Sequence, residues 1–246
     1  MRVPRIHTPQ MLNMGQLLEL EPAASKHLLT VLRLKAGAAL ILFNGDGREF
    51  NARLEGATRN HASVSIGVQR PARTESPLHI TLTQGISRGE RMDYTLQKAV
   101  ELGVRNIVPV STERSVVKLD EKNMSRKLTH WQSVVIGACE QSGRLLVPQI
   151  AEPVELERFL TRIDSDVVLR LSLDPMAETS LRMLARPIGQ KVLLLVGPEG
   201  GLSDTERASA LRAGFQGVRL GPRILRTETA GLVALSILQS LWGDLG

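Results

Sequence analysis

"LLLVGPEGGLSDTE", residues 193–206, carries a block of aliphatic residues into Gly197-Pro198-Glu199-Gly200-Gly201 and then into Ser203, three residues ahead of Glu206. A short Leu/Val run closed by glycine reads as a strand buried on both faces. Ser203 with Glu206 spells a capping box, in which each side chain accepts an amide proton from the other's backbone, so a helix starts there. The loop between them therefore joins a buried strand to a helix N-terminus, a geometry suited to anions because free amides and the positive helix end face the ligand. The text completes neither phosphate pattern, however. No Gly-Lys-Ser/Thr ending follows, and Gly197, Gly200 and Gly201 do not follow the G-x-G-x-x-G spacing. Glu199 stands without a Lys or Arg anywhere from 192 to 206, and its carboxylate would repel a phosphate. A neutral or cationic ligand fits this loop better; glycines that only turn the chain are the alternative.

A second loop of the same kind follows. "VRLGPRILRTETAGL", residues 218–232, takes a strand through Gly221-Pro222 to a helix, with Thr227 as N-cap and Glu228 in the first turn. Two such loops at the ends of consecutive strands in one sheet would flank one crevice, where open α/β sheets bind ligands. Leu220, Ile224 and Leu225 could wall an apolar slot for an adenine. Arg223 and Arg226 beside them are costly to desolvate, so they are either functional, salt-bridged or turned to solvent.

Working back from these loops, strands and helices alternate from residue 78. They run "LHITLTQG" (78–85), a helix over 90–102, "NIVPVS" (106–111), a long helix over 124–142, "DVVLRLSL" (166–173), "KVLLLVG" (191–197), a helix over 203–213, "GVRLG" (217–221) and a terminal helix from 228. That alternation predicts an α/β fold with a mostly parallel sheet covered on both faces. Met124, Leu128, Trp131, Val135, Ala138 and Ser142 form one stripe along the long helix, which Gly143 closes. Met92, Tyr94, Leu96 and Ala99 are read as the core face of the helix before it. Residues 68–77, "VQRPARTESP", read as a linker, and the boundary is placed between 72 and 73. Ahead of it lies a small β-rich domain, with an Asn44-Gly45-Asp46-Gly47 turn between two strands and a helix over 27–37 carrying Leu28, Val31, Leu32 and Lys35, ended by Gly37.

The 246 residues carry 31 Lys and Arg against 25 Asp and Glu, a net charge of +6, and residues 1–72 hold nine of those cations against five acids. The excess suits a polyanionic partner and is concentrated at the N-terminal end. Aromatic residues make up only 3%, which argues against base stacking as the main mode of binding. A lone cysteine, Cys139, leaves no intramolecular disulfide and no thiolate cluster for zinc. Five scattered His residues lack ligand spacing, so no metal is expected. With no apolar signal core at the start and no run long enough to span a membrane, the expected location is the cytoplasm.

"LLVGPEGGLSDTE" followed by "LGPRILRTETA" resembles the bacterial 16S ribosomal RNA uridine-N3 methyltransferases of the SPOUT superfamily, and so do "QKAVELGV" (97–104), "TERSVVKL" (112–119), "ACEQSGR" (138–144) and the basic start "MRVPR". The likeness covers nearly the whole chain; "SRGER" (87–91) is one of several variants at that loop. The resemblance implies an N-terminal PUA-like β-barrel, a SPOUT domain knotted as a trefoil at its C-terminal loops, a homodimer with the active site between subunits, and S-adenosylmethionine as cofactor. The small ribosomal subunit and its 16S rRNA would be the partner. Carried over residue by residue, the cofactor site is Gly197, Pro198, Gly200, Gly201, Leu220, Gly221, Arg223, Ile224, Leu225 and Thr229, with Leu171 or its neighbours as a third wall. S-adenosylmethionine has no phosphate and carries a sulfonium cation, which agrees with Glu199 in the loop.

Methyl transfer from sulfonium to nitrogen is an in-line displacement governed by alignment. Uridine N3 must also lose a proton, so a base and a cation for the uracil oxygen would help. Arg226 is the candidate for that cation, with Glu199 or Glu228 as the base. Arg144, with Gln141 beside it, is a second candidate for RNA or base contact, unless it caps the carbonyls of the long helix. Arg2, Arg5, Lys26, Arg33 and Lys35 are the expected phosphate contacts of the first domain, a solvated basic face being the alternative. A non-catalytic RNA-binding or assembly factor, a 2′-hydroxyl methyltransferase and a nucleotide hydrolase are the competing functions. The missing phosphate lysine speaks against the last.

Overall fold

The computed structural model describes residues 3–58, 61–115, 121–163 and 169–246. They divide into two compact units, Met1–Glu75 with Ile136–Val147, and Ser76–Val135 with Pro148–Gly246.

In the first unit β1 (Arg5–His7), β2 (Leu17–Glu19), α1 (Pro22–Lys26), β3 (Ala39–Phe43), β4 (Glu49–Ala57) and β5 (Ala62–Arg70) follow one another. The strands form one five-stranded sheet in the order β1-β3-β4-β5-β2, parallel only between β1 and β3. Alternation explains its core: Phe50, Ala52 and Leu54 of β4 and Ala62, Val64 and Ile66 of β5 point inward, while Asn51, Arg53 and Glu55 point out. Gly45 and Gly47 take positive φ in the β3–β4 turn, as the Asn-Gly-Asp-Gly text requires.

The helix expected over 27–37 differs from the one formed. It begins earlier, with Pro22 in its first turn, and widens over 27–31 into a π turn in which Leu32 N donates to His27 O. The wider turn changes which residues share a face. Leu28 is fully buried and Leu34 packs beside it, whereas Val31 is 64% exposed, and the helical path ends at Leu32, ahead of Arg33 at φ +54°.

The first unit also takes in residues 136–147, which sequence reading assigned to the C-terminal domain. Hydrogen bonds are the reason. Arg5 is buried, with Nε on Glu49 Oε2 at 3.0 Å and its NH groups on the carbonyls of Cys139 (2.6 Å) and Arg144 (3.1 Å). The Cys139 carbonyl, which also accepts Gly143 N at 3.1 Å, lies in the last turn of the long helix, where the charge of a guanidinium is favoured. The Glu75 carboxylate accepts the amides of Leu145 and Leu146 and pairs with the Arg144 guanidinium at 2.6 Å. Arg5 is therefore spent inside the protein and is not placed to meet a phosphate, and Arg144 is 4% exposed against Glu75. Lys26, Arg33, Lys35 and Gln141 are exposed, while Arg2 lies outside the described residues.

Cys139 is fully buried in this unit, and burial, ahead of its charged neighbours, pushes its thiol up to about 12. Since the thiolate is the nucleophile, iodoacetamide at pH 8 should label the native protein at least about 100-fold more slowly than the urea-unfolded chain. Comparable rates in the two states would contradict this burial.

The second unit contains β6 (His79–Gly85), α2 (Glu90–Glu101), β7 (Asn106–Ser111), α3 (Glu121–Ser142, its last seven residues grouped with the first unit), β8 (Gln149–Ile150), β9 (Val154–Glu155), α4 (Leu156–Leu160), β10 (Leu169–Leu173), β11 (Lys191–Val196), α5 (Asp204–Arg212), β12 (Gln216–Val218) and α6 (Thr227–Trp242). All strand pairs in its seven-stranded sheet are parallel, in the order β12-β10-β11-β6-β7-β8, with β9 also on β7. The α/β alternation read from the sequence is thus the observed one; residues 166–168 of the expected strand lie outside the described residues. β11 is buried on both faces, Leu193 and Leu195 facing a cluster with Leu156, Leu202 and Phe215. Tyr94 is not core: it is 50% exposed while Met92, Leu96 and Ala99 are buried. At about 100° per residue Tyr94 lies roughly opposite Met92 on α2.

Candidate functional site

Past Val196, where β11 ends, the backbone of the loop packs closely against its neighbours at two glycines. A Cβ on Gly85 of β6 would lie 2.4 Å from Pro198 N, and one on Gly200 would lie 2.9 Å from the Arg114 Cβ. Gly201, at φ +66°, closes the turn by donating to Pro198 O at 2.8 Å. α5 then starts with the expected capping box: Glu206 N donates to Ser203 Oγ and Ser203 N to Glu206 Oε2. Glu206 Oε1 accepts Glu113 N as well. The capping box thus uses donors of this helix start internally, in keeping with a loop that lacks the phosphate patterns.

The fold supplies the cations that the local text lacks. Arg91 of α2 reaches Glu199 Oε1 at 3.1 Å and Arg88 N donates to the same oxygen at 3.0 Å. Burial raises the Glu199 pKa, but the Arg88 amide, its own amide and Arg91 together outweigh it and hold the carboxyl below its usual value. Such a carboxylate is a weak proton acceptor. Arg114, whose Cβ abuts Gly200, donates to Gly200 O (3.1 Å) and Leu202 O (3.4 Å).

The second loop meets the first. Gly221 has φ +124°, and α6 begins at Thr227 with Arg226, not Thr227, as its N-cap. Thr227 cannot cap because its hydroxyl donates to Gly197 O at 2.5 Å and accepts from Gln84 Nε2 at 3.0 Å. The two glycine turns thereby enclose one cavity of about 640 Å³, within the range of small-ligand pockets.

Gly197, Pro198, Glu199, Gly200 and Gly201 line one wall, and Leu220, Gly221, Arg223, Ile224, Leu225, Arg226 and Glu228 another. The third wall is Leu173, the last residue of β10, with Asp174, Pro175 and Met176 after it. Leu171 is fully buried two residues earlier and does not reach the cavity, so the wall lies at its neighbours. Thr229 is exposed and outside the lining, as helical rotation sends it away from Glu228, and Ile224 is 85% exposed at the rim. Glu228 presents a buried carboxylate oxygen with no hydrogen-bond partner. Arg144 and Gln141 are grouped with the other unit. Among the described residues no group of three or more His, Cys, Asp or Glu is arranged to hold a metal, and no helix is long and apolar enough to cross a membrane.

Arg91, Arg114, Asp174 and Arg219 also line the cavity, and residue-by-residue reasoning did not assign them to it. One signal was present for Asp174. Asp174-Pro175 directly follows the alternating run Leu169-Arg170-Leu171-Ser172-Leu173, so it ends a strand at the same sheet edge as the glycine turns.

Residues 74–239 match the model of an RNA methyltransferase domain and residues 20–67 that of an RNA methyltransferase PUA domain. The ribosomal RNA small subunit methyltransferase E of Buchnera aphidicola (subsp. Acyrthosiphon pisum) is 32% identical over 99% of this chain and 95% of its own length. Among solved structures, the protein Lpg2936 of Legionella pneumophila, in complex with the bound cofactor SAM, is 44% identical with a TM-score of 0.95 over 100% of both chains. A ribosomal RNA small subunit methyltransferase E of Neisseria gonorrhoeae, bound to S-adenosyl methionine, is 41% identical with a TM-score of 0.93, again over 100% of both. The RNA methyltransferase model spans most of the parallel α/β unit whose two glycine turns wall the cavity, and the chain belongs to the RNA methyltransferase family.

Proposed function

We propose that the cavity takes S-adenosylmethionine and that the protein methylates N3 of a uridine in 16S ribosomal RNA, acting on the small ribosomal subunit. The hydrogen bond from Thr227 to Gly197 carries this reading, because it joins both glycine turns around one cavity whose walls contain no phosphate motif. Relatives of 41% and 44% identity were solved with that cofactor. The residues fit the group. Leu173, Leu220 and Leu225 are apolar walls for an adenine, the glycines let backbone approach closely, and the unpartnered Glu228 oxygen would attract a sulfonium.

When bound, the cofactor supplies an electrophilic methyl group. The chain's part is to align the uridine with it and to manage one proton and one charge. Arg226 holds the charge that develops on a uracil oxygen, and Glu228 accepts the N3 proton. Glu199, engaged by Arg91 and the Arg88 amide, shapes the loop instead. Lys26, Arg33 and Lys35 contact RNA phosphates, while Arg5 and Arg144 hold the first unit together. The same reading includes a PUA-like barrel, a SPOUT-type trefoil knot at the C-terminal loops, a cytoplasmic homodimer with the active site between subunits, and no metal.

Labelled methyl transfer to small subunits from cells lacking the protein, followed by mass spectrometry of the nucleosides, tests it. N3-methyluridine is the expected product. A 2′-O-methylated nucleoside would move the target atom, and RNA binding without transfer would make the protein a non-catalytic assembly factor.

A further inference from the structure

At the cavity wall, where Thr227 is part of the lining and Gln84 is not, two side chains tie together three backbone segments that lie far apart in sequence. Gln84, fully buried at the end of β6, donates from Nε2 to Gly85 O and to Thr227 Oγ1, both at 3.0 Å. Thr227 passes its own hydroxyl proton to Gly197 O. The polarity of this chain is fixed by counting protons. A hydroxyl has one proton to give, so Thr227, having given it to Gly197, can only accept from Gln84, and the amide must present its nitrogen. Turned over, the amide oxygen would face Gly85 O and Thr227 Oγ1, two acceptors.

The other end of the same amide has no partner. Gln84 Oε1 is buried and unbonded, on the side where Gly231 of α6 lacks a side chain. An unsatisfied buried oxygen is destabilising, and an apolar residue of equal shape would remove that cost. Stability alone therefore does not account for an amide here; its donor end does. That donor end acts on the one peptide where the loop leaves the sheet. The Gly197–Pro198 peptide is pressed on one side by Gly85, and its carbonyl is held by Thr227. Pro198 has a fixed φ, so the direction of that carbonyl sets the path of the glycines after it.

We propose that Gln84 is a positioning residue, outside the cavity lining, which through Thr227 fixes the Gly197–Pro198 peptide and thereby sets affinity for the cofactor. The inference rests on the reading that the cavity binds S-adenosylmethionine. Because the donor chain has a direction, it makes a claim that shape does not: Gln84→Glu, nearly isosteric but offering Thr227 only an acceptor when ionised, should behave like Gln84→Leu at a pH where its carboxyl is ionised.

The experiment compares Gln84→Glu, Gln84→Leu, Thr227→Val and Thr227→Ser with the unmodified protein by three measurements. These are calorimetric binding of S-adenosylmethionine, hydrogen exchange of the Glu199, Gly200 and Gly201 amides without ligand, and melting temperature. The first three variants should bind the cofactor at least about 10-fold more weakly, which is about 1.4 kcal/mol. They should also exchange those amides faster, with KM for the cofactor raised and kcat at saturation within about threefold. Thr227→Ser, which keeps the hydroxyl, should match the unmodified protein. Unchanged binding and exchange in Gln84→Glu would overturn the proposal. So would a Thr227→Ser variant as impaired as Thr227→Val, or binding losses that simply follow the melting temperature. If the unmodified protein does not bind S-adenosylmethionine, the proposed function fails, and the exchange measurement still decides the role of Gln84.

Discussion

Arg5→Ala should cost the N-terminal unit about 3–5 kcal/mol, the usual penalty for breaking a buried ion pair by removing one partner. The side chains of Arg5 and Glu49 are 6% and 7% exposed, so neither charge is screened by much water. Alanine would also take a donor from the carbonyls of Cys139, which keeps Gly143 N, and of Arg144, just past α3, and leave the Phe43 ring without the guanidinium 4.4 Å above it. Glu49 retains Arg70 at 3.3 Å, which places the loss nearer the lower figure. Arg5→Lys should recover only part, since one ammonium cannot span a carboxylate and two carbonyls in the planar arrangement a guanidinium allows. Urea denaturation followed by circular dichroism measures the effect, and a loss below about 1 kcal/mol would contradict the buried network.

Arg226→Ala should lower kcat by about 10²–10³ while leaving cofactor affinity within about threefold, if Arg226 meets the charge developing on the uracil as proposed. Its position makes this possible. It is the N-cap of α6, its side chain is exposed on the cavity wall, and no ion pair engages it among the described residues. A guanidinium in that state is available to a substrate, whereas Arg91 and Arg114 are occupied by the glycine loop. Single-turnover transfer under saturating cofactor reads the effect directly. Near-normal turnover would remove Arg226 from the chemistry, and a large loss of cofactor binding would make it a cofactor ligand.

What could be read from the sequence was what short-range chemistry dictates. The capping box at Ser203 and Glu206, the glycine turn at 44–47 and the strand and helix alternation each follow from residues within a few positions of one another. Both glycine turns were placed at the cavity for the same reason. The rest depended on partners distant in the chain. Arg5 looked like a surface cation because charge says nothing of destination, and its burial needs Glu49 and a helix end some 134 residues away. Glu199 looked isolated because Arg91 lies 108 residues before it. Thr227 had the residue type of an N-cap, yet Gly197 and Gln84 claim its hydroxyl. A π turn in residues 27–31 likewise leaves no periodic mark, since its extra residue shifts the face partway along.

The ownership of residues 136–147 bears on how the gene can be cut. A fragment ending at residue 75 would carry Arg5 and Glu75 without the carbonyls and amides they satisfy, although every strand of its sheet would be present. Expression of the N-terminal module by itself should therefore yield an insoluble or loosely folded product. A circularly permuted or fused version that restores the 136–147 helix end in the same polypeptide should rescue it.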